Sequence, residues 1–381
     1  MRTDCRHYRV SEPCAPHKQT RVSCDDCRHF DPVAERVLIV KLGALGDVLR
    51  TTSCLPPLKA RYPHSHVTWI TRANAAPLLL RNPSVDRVLS LEANYLEYLL
   101  AEDFDLVIAP DADPLSASIA TIARAPTKKG FVADGRGGVT PLSDTAAHWW
   151  RMGLDDALKQ HNRRTYSECL YAICDLPLPV ARPYLYVSPE ARTHASQWLQ
   201  AQAPRSAVQI CFNTGASGRW REKRWKARHY HSLAQRITTA LPGAAIVLVG
   251  GPEEHAFNRE LLSSGTAFVD GGTDNSLEEF GAILAACAWA LTPDSLGYHV
   301  ACAVGTRAVC LVGPTSPWEI DLFAANRVIY SPFDCIGCYL ATCPMPRSCM
   351  DELVPETVWA SVRDWMPNGE GSPAAVRVAK C

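Results

Sequence analysis

Short apolar runs rich in β-branched residues alternate with stretches of helical spacing along most of the chain, and this alternation limits the fold more than any other feature. One set of runs lies at 37–40, 67–70, 85–91, 105–110 and 129–133, and a second at 207–215, 244–251, 266–272, 288–295 and 308–315. Strands that alternate with helices form parallel sheets covered by helices. The sequence therefore predicts an α/β protein with two doubly wound, Rossmann-like units.

The rhythm breaks between the two sets, over residues 134–187, where glycines, paired tryptophans and the proline-rich run PLPVARPYLYV occur. We predict four parts: a cysteine-rich segment over 1–33, Rossmann-like domains over 34–187 and 188–334, and a cysteine cluster with a tail over 335–381. Two such domains that face one another would form a central cleft between the carboxyl ends of their strands, where open α/β sheets bind ligands.

Composition excludes several classes of protein. The chain has 381 residues, 47% of them apolar, with 39 basic and 39 acidic side chains. Because these charges cancel, no overall field attracts nucleic acid, and we expect no nucleic-acid partner. The sequence shows neither the apolar core of a signal peptide nor a run of about 18 apolar residues. We expect a cytoplasmic protein, with at most a peripheral association at the inner membrane.

An aspartate follows the first predicted strand, in RVLIVKLGALGDVLRTT. Lys41, Gly43 and Gly46 lie between that strand and Asp47. Glycines in such a connection let the chain turn tightly and let a substrate come close. An acid placed where a strand meets a helix is a candidate working residue.

The second half offers a candidate phosphate site in ALTPDSLGYHVACAVG, where a strand passes into a helix. The free N–H groups at a helix N-terminus, together with the helix dipole, bind diphosphates. The alternative is that the polar residues here merely cap the helix. The candidates are Asp294, Ser295, Gly297 and His299.

Three more strand ends in this half carry polar groups. Basic side chains could neutralise phosphate and a carboxylate could accept from ribose hydroxyls, although such residues are often only solvated or complement a helix dipole. Together the four loops predict a nucleotide-diphosphate pocket. The candidates are Asn213, Thr214, Gly215, Lys223 and Arg224 in FNTGASGRWREKRW, Glu253 and Glu254 in VGGPEEH, and Gly313 and Thr315 in VGPTSP.

The chain resembles the ADP-heptose:lipopolysaccharide heptosyltransferases, which form glycosyltransferase family 9. Five segments match in the family's order over about residues 36–320. They are VLIVKLGALGDVLRTTSCLPPLKARYP, NTGASGRWREKRW, VGGPEEH, TPDSLGYHVACAVGT and VGPTSP.

The resemblance implies a GT-B architecture, with an acceptor-side domain over 34–187 and an ADP-sugar donor domain over 188–334. It also implies inverting transfer without a catalytic metal. By resemblance, Asp47 is the catalytic base and Lys223 the lysine of the K-x-W element. The ribose-binding glutamate falls on Glu254 or Glu253, and the Asp-Ser/Thr-Gly-x-x-His element falls on Asp294, Ser295 and His299, with Leu296 in the place of the usual glycine and Gly297 one position later.

The chemistry of the residues agrees with these roles. When an acceptor hydroxyl attacks an anomeric carbon it must lose its proton, and a carboxylate such as Asp47 can take it. The departing ADP gains charge, which a helix N-terminus and Lys223 would stabilise more in the transition state than in the ground state. The acceptor-side candidates are therefore Asp47, Lys41, Gly43 and Gly46.

Two cysteine clusters flank the alternating region. The C-terminal one, in CIGCYLATCPMPRSC, is Cys335, Cys338, Cys343 and Cys349; the N-terminal one is Cys5, Cys14, Cys24 and Cys27, near His17. Each contains a C-x2-C pair, and four thiolates complete a tetrahedral metal site. We expect a structural metal at each cluster, with zinc as the default and iron or an iron–sulfur cluster as alternatives; reduced thiols are the other reading.

The autotransporter heptosyltransferases, which the chain also resembles, carry a cysteine-bound iron and form oligomers. That resemblance implies a homo-oligomer in which the C-terminal quartet helps assembly. Seven single cysteines in apolar runs are predicted to be core residues. They are Cys54, Cys169, Cys174, Cys211, Cys287, Cys302 and Cys310.

A basic and aromatic stretch lies between the two domains. It could grip an anionic acceptor such as a phosphorylated sugar, although a packed hinge is the favoured interpretation. Its residues are Trp149, Trp150, Arg151, Lys159, Arg163, Arg164 and Tyr166.

We conclude from the sequence that the protein is an inverting glycosyltransferase that moves a heptose, or a similar sugar, from an ADP donor to a saccharide acceptor such as lipopolysaccharide core. A lipid-linked or protein acceptor is the alternative. A nucleotide-sugar epimerase is disfavoured because no G-x-G-x-x-G follows a strand. A noncatalytic, metal-stapled assembly protein with a vestigial nucleotide pocket is the competing class.

Overall fold

The structure is a computed structural model that describes residues 1–9, 11–206, 208–216, 218–266, 268–323, 325–365 and 376–379. The chain divides into two compact units. Unit 1 comprises residues 1–150 and 169–181, and unit 2 comprises residues 151–168 and 182–381.

The sheet of unit 1 has the strand order β3-β2-β1-β4-β5-β6. All its pairs are parallel except β5 with β6, which is antiparallel. The central strand β1 has four consecutive buried residues, as expected for a parallel strand covered on both faces. The strands are β1 (Arg36–Val40), β2 (His66–Thr71), β3 (Arg87–Ser90), β4 (Leu106–Ala109), β5 (Thr127–Ala133) and β6 (Val139–Pro141).

The sheet of unit 2 is wholly parallel, in the order β13-β12-β11-β10-β7-β8-β9. Its main core includes the fully buried rings of Trp225, Tyr230 and Phe212. The strands are β7 (Val208–Asn213), β8 (Ala244–Val249), β9 (Phe268–Asp270), β10 (Trp289–Pro293), β11 (Arg307–Val312), β12 (Arg327–Tyr330) and β13 (Val376–Ala379). Two doubly wound α/β units are thus confirmed.

Helices connect the parallel strands in both units. Across the described ranges, none of them is long and apolar enough to cross a membrane. In chain order they are α1 (Ala15–Thr20), α2 (Leu45–Thr51), α3 (Leu55–Arg61), α4 (Tyr95–Ala101), α5 (Pro114–Ile122), α6 (Asp144–Met152), α7 (Asp156–His161), α8 (Tyr166–Cys174), α9 (Pro189–Gln202), α10 (Ala227–Ala240), α11 (His255–Ser263), α12 (Leu277–Ala286), α13 (Leu296–Val304), α14 (Cys349–Glu352) and α15 (Pro355–Val362).

Residues 134–187, where the alternation of strands and helices was expected to stop, contain the three helices α6, α7 and α8. The chain passes from one unit to the other more than once within this region. Side-chain contacts explain the division. Ser167 Oγ donates to Asp321 Oδ2 at 2.6 Å within unit 2. Tyr171 Oη donates to the Ser53 carbonyl at 2.5 Å within unit 1. Residues 151–168 therefore belong with the second sheet, and residues 169–181 return to the first.

Candidate functional site

Asp47 stands in the first turn of α2, which begins directly after the loop that follows β1. Its backbone N–H donates to the Ala44 carbonyl at 2.8 Å. Arg50, one turn later, places Nη2 at 2.7 Å and Nε at 3.1 Å from the same oxygen, Oδ1. The side chain of Asp47 remains 35% exposed. The carboxylate is thus oriented by a neighbouring guanidinium on a rigid helix while part of it faces solvent.

Lys41 lies beside this loop but is almost completely buried, at 2% exposure. It forms an ion pair with Asp111, which follows β4. A Cβ on Gly43 would lie 3.6 Å from Oδ2 of Asp111, an ordinary contact, and Gly46 lies inside α2. Neither glycine has a positive φ. The tight turn that was expected at Gly43 and Gly46 is therefore not the reason for glycine at these positions.

In unit 2, Asp294 connects the loop that follows β10 with the loop that follows β11. Lys223 donates from Nζ to Asp294 Oδ2 at 2.7 Å and to the Asp294 carbonyl at 3.2 Å. Thr315 Oγ1 donates to the same Oδ2 at 2.7 Å. The Lys223 and Asp294 side chains are only 10% and 13% exposed. Lys223 is therefore oriented by a carboxylate and is not simply solvated.

The surroundings of Asp294 keep its carboxyl ionised. Burial alone would raise its pKa, but the charge of Lys223, together with hydrogen bonds from Lys223 and Thr315, holds the pKa of Asp294 well below its usual range. The neighbouring His299, which is buried in α13, also lowers the pKa of Asp294. The Asp294–Lys223 pair is thus a fixed, buried ion pair at the end of a central strand.

Asn213, the last residue of β7, joins a third loop to this group. Its Nδ2 donates to Thr292 Oγ1 at 2.9 Å and to Ser295 Oγ at 3.2 Å. The Ser295 side chain makes no capping bond to α13, so the alternative that it merely caps the helix does not hold. A Cβ on Gly297 would lie 2.3 Å from Asn213 Nδ2. Glycine at 297 therefore makes room for the Asn213 side chain.

The loop after β8 contributes Glu254 in a way that the sequence does not reveal. Glu254 is 3% exposed; its Oε1 accepts from Arg224 Nη2 at 2.7 Å and its Oε2 accepts from the Gly251 N–H at 3.1 Å. Glu253 is exposed. Of the two predicted ribose acceptors, Glu254 is held in an internal network and Glu253 faces solvent.

Thr214 and Gly215 complete the β7 end of the group. Thr214 Oγ1 donates to Asn258 Oδ1 at 2.5 Å, and the Gly215 N–H donates to Asn213 Oδ1 at 3.3 Å. Gly313, at the end of β11, lies against the C-terminal segment, because a Cβ there would be 2.9 Å from Met350 Sδ. Thr292, Asn258 and Asp111 were not among the predicted residues, although DLVIAPDAD repeats the signal of an acid after an apolar strand.

The four predicted strand-end loops of unit 2 therefore meet at the carboxyl edge of one sheet. Three of them contribute to two hydrogen-bonded sets, Lys223 with Asp294 and Thr315, and Asn213 with Ser295, which the adjacent residues Asp294 and Ser295 bring together. We call these five residues the strand-end cluster. It adjoins the N-terminus of α13, whose first N–H groups have no partner within the helix. This combination of a helix N-terminus and an oriented ammonium can bind an anion such as a diphosphate.

The C-terminal cysteines lie next to the turn that follows β11. Cys335, Cys338, Cys343 and Cys349 line one small cavity together with Glu222 and Gly313. Burial raises the pKa of the Cys335 thiol and raises that of Cys349 to about 12. The Tyr339 N–H, between these cysteines, donates to the Pro314 carbonyl at 2.8 Å. The segment is thus attached to the loop that carries Thr315.

The N-terminal cysteines, Cys5, Cys14, Cys24 and Cys27, also line a single cavity. All described cysteines are free of disulfides. In the described part of the chain, no three or more His, Cys, Asp or Glu side chains are already arranged to hold a metal ion. The seven cysteines predicted to lie in the core are all buried, which confirms that prediction.

The aromatic residues and Lys159 of the basic and aromatic stretch are at least partly buried, whereas Arg151, Arg163 and Arg164 are exposed. Lys159 Nζ lies 3.5 Å from the centre of the Tyr339 ring, and Arg163 Cζ lies 4.9 Å from that of Trp318. Trp149 and Trp150 pack against the cluster around Phe131 in unit 1. These contacts favour the packed-segment interpretation, and an acceptor-binding role for the stretch stays a prediction.

Comparison with known proteins agrees with this geometry. The family model "Glycosyltransferase family 9 (heptosyltransferase)" matches residues 94–348. Lipopolysaccharide heptosyltransferase 2 of Salmonella typhimurium is 27% identical over 303 residues, which is 74% of this chain and 84% of that protein.

Solved structures show the same fold. A family 9 glycosyltransferase of Veillonella parvula superposes with a TM-score of 0.68 at 19% identity, covering 88% of this chain and 98% of that one. The ADP-heptose lipopolysaccharide heptosyltransferase II of E. coli gives 0.65 at 22% identity, with 88% and 100% covered. The iron-containing dodecameric glycosyltransferase TibC of E. coli gives 0.55 at 13%, with 87% and 76% covered. The family match extends over most of the chain, and the fold is that of the family's solved structures, so this chain belongs to glycosyltransferase family 9, the heptosyltransferases, and is a glycosyltransferase.

Proposed function

We propose that the protein transfers a heptose from an ADP-sugar to a saccharide acceptor of the lipopolysaccharide core, with inversion at the anomeric carbon. The observation that carries the proposal is the strand-end cluster of unit 2, where an oriented lysine adjoins the N-terminus of α13. Two of the relatives named above are lipopolysaccharide heptosyltransferases by name, and one solved neighbour, E. coli WaaC, was crystallised with ADP-2-deoxy-2-fluoro heptose.

The ADP moiety is assigned to unit 2 on the chemistry of its loops. Of the three donors that an ammonium carries, Lys223 directs two toward oxygens of Asp294, which leaves one for a phosphate oxygen. The N–H groups of Leu296 and Gly297 at the start of α13 supply further donors. These groups are held in place before the reaction, so they stabilise the charge that develops on the leaving diphosphate without reorganising.

Asp47 is assigned as the general base. The acceptor hydroxyl oxygen forms a bond to the anomeric carbon while the bond from that carbon to the ADP oxygen breaks, and the electron pair leaves with ADP. The hydroxyl proton passes to the Asp47 carboxylate. Arg50 orients that carboxylate through Oδ1.

The test is transfer from ADP-heptose to a lipopolysaccharide-core acceptor, followed by ADP release and by the anomeric configuration of the product. Asp47→Asn should lower kcat by about 10²–10⁴-fold, with little change in the ADP-heptose concentration that half-maximally raises Tm. Asp103→Asn is the matched control, because Asp103 is a 78% exposed partner of Arg124 in the same unit. Asp47→Asn turnover equal to that of this control would overturn the base assignment.

The acceptor and the place of action are part of the proposal. A lipid-anchored saccharide lies at a membrane surface, so we place the protein in the cytoplasm with a peripheral association at the inner membrane. A protein acceptor is distinguished in the same assay, by offering a polypeptide in place of the core saccharide. Assembly into a homo-oligomer stays a prediction.

We also propose a structural metal ion at Cys335, Cys338, Cys343 and Cys349, with zinc as the default and iron as the alternative. The support is that all four thiols line one cavity in a segment attached to the Gly313–Thr315 turn. The ion would hold this segment in place and would take no part in sugar transfer.

A further inference from the structure

The N-terminal segment, residues 1–33, has a defined backbone but almost no core. Among its described residues, only Pro16 is buried. Even so, the Arg6 N–H donates to the Asp31 carbonyl at 2.8 Å and the Val33 N–H donates to the Asp4 carbonyl at 2.8 Å. Holding some 25 intervening residues in a closed loop costs conformational entropy that the burial of one proline does not offset.

The ends of this loop are anchored to the remainder of unit 1. Arg6 Nε lies 2.6 Å from Asp86 Oδ1 and Arg6 Nη2 donates to the Pro83 carbonyl at 3.2 Å. His64 Nδ1 lies 3.1 Å from Asp31 Oδ1. These contacts fix the two strands of chain at the base of the loop. They do not explain what holds together residues 11–29, which contain only the short helix α1.

The cysteines occupy the position where a core would be expected. Cys5, Cys14, Cys24 and Cys27 all line one cavity of about 410 Å³ inside the loop. Each thiol is half-buried and none is in a disulfide. They come from four separate points of the segment: the base of the loop, the N-terminal end of α1, and the two ends of the CDDC turn. A single group that bound all four would cross-link the whole segment.

We infer that residues 1–33 form a metal-binding module in which Cys5, Cys14, Cys24 and Cys27 bind one zinc-class divalent ion. Four thiolates are a complete tetrahedral set for zinc. Because the described side chains are not already at coordinating positions, the four thiols must close on the ion as it binds. Each loses its proton in doing so, so one ion displaces four protons. The inference is independent of the proposed sugar transfer.

Metal content of the full-length protein tests the inference. The protein is purified under reducing conditions and its zinc is measured by elemental analysis per chain. The double variant Cys24→Ser/Cys27→Ser should lose one equivalent relative to the parent. The matched control is Cys335→Ser/Cys338→Ser, which removes the other C-x2-C pair. This control should keep the zinc equivalent at the N-terminal cysteines that the first variant loses, whether or not it loses a metal ion at the C-terminal quartet.

Two further readouts separate a metal site from a merely structural thiol cluster. Replacement of zinc by cobalt should give a thiolate-to-cobalt charge-transfer band. In Cys24→Ser/Cys27→Ser the absorbance of this band should fall by the contribution of one cobalt site. Chelation of the parent should make the bonds within 11–29 sensitive to protease, at sites read by mass spectrometry. The inference is overturned if the N-terminal variant keeps the parent's metal content, or if the metal-free parent shows these thiols oxidised in pairs and the segment protected.

Discussion

The ammonium of Lys223 lies 2.7 Å from a carboxylate oxygen of Asp294, and both side chains are about nine-tenths buried at the carboxyl edge of the second sheet. Two charges in such a place stabilise one another only while both are present, because each has given up most of its hydration. The pair therefore couples the positioning of the lysine that we propose binds phosphate to the stability of unit 2.

Loss of Lys223 should destabilise the fold as well as slow transfer. Lys223→Ala leaves the Asp294 carboxylate buried without its cation, and we expect the free energy of unfolding to fall by about 3–5 kcal/mol. Urea unfolding followed by tryptophan fluorescence measures it. The control is Arg228→Ala, which removes a 66% exposed partner of Asp351 and should cost less than about 1 kcal/mol. Equal losses in the two variants would contradict the buried-pair interpretation.

The same pair predicts how stability depends on pH. In the folded protein the pKa of Asp294 is depressed, whereas in the unfolded chain it stays near the ordinary 3.8. As the pH falls, the unfolded chain therefore takes up the proton first, so the stabilisation is present above about pH 4 and is lost progressively below it. Parent and Asp294→Asn should differ in Tm at pH 6 and converge as the pH is lowered toward 3. A difference that is constant over this range would show that the carboxylate is not held ionised.

Two glycines of unit 1 allow the cost of a steric clash to be measured separately from the cost of a positive φ. Gly130 and Gly135 both have positive φ, but a Cβ on Gly130 would lie 2.0 Å from the carbonyl oxygen of Ala109 on the adjacent strand, whereas nothing lies within 4 Å of one on Gly135. Gly135→Ala should cost about 1–2 kcal/mol. Gly130→Ala must also push β4 and β5 apart, so we expect a loss above about 4 kcal/mol. Similar unfolding midpoints for the two variants would contradict this.

The two sheets and the convergence of loops in unit 2 could be predicted because parallel strands bring their carboxyl ends to one edge. Asn213, Asp294 and Thr315 belong to three different motifs in the sequence, and Lys223 shares the motif of Asn213, yet that single rule places them together. The burial of the seven lone cysteines was predictable for the same kind of reason, since each lies in an apolar run.

Hydrogen-bond partners could not be predicted, because they depend on distances between loops that a sequence pattern does not contain. A ribose-binding role was expected of Glu254 or Glu253, but the bonds that Glu254 accepts from Arg224 and from the Gly251 N–H could not be foreseen. The path of residues 151–181 was missed because the divisions between the units fall inside α6 and α8, where no feature of the sequence marks them. Only a tertiary contact such as Ser167 with Asp321 decides which unit each part joins.

The close approach of Gly297 to Asn213 gives a test in which the two residues report on one another. A methyl group at 297 would lie 2.3 Å from Asn213 Nδ2 and 3.1 Å from Thr292 Oγ1, so Gly297→Ala should force Asn213 out of its bonds to Thr292 and Ser295. We expect a loss of about 1–3 kcal/mol in the free energy of unfolding and weaker ADP binding, measured by calorimetry. Asn213→Ala removes the side chain that the methyl would strike. In that background Gly297→Ala should cost clearly less, giving a coupling energy of about 0.5–3 kcal/mol. Additive losses in the double variant would mean that the glycine is required for another reason.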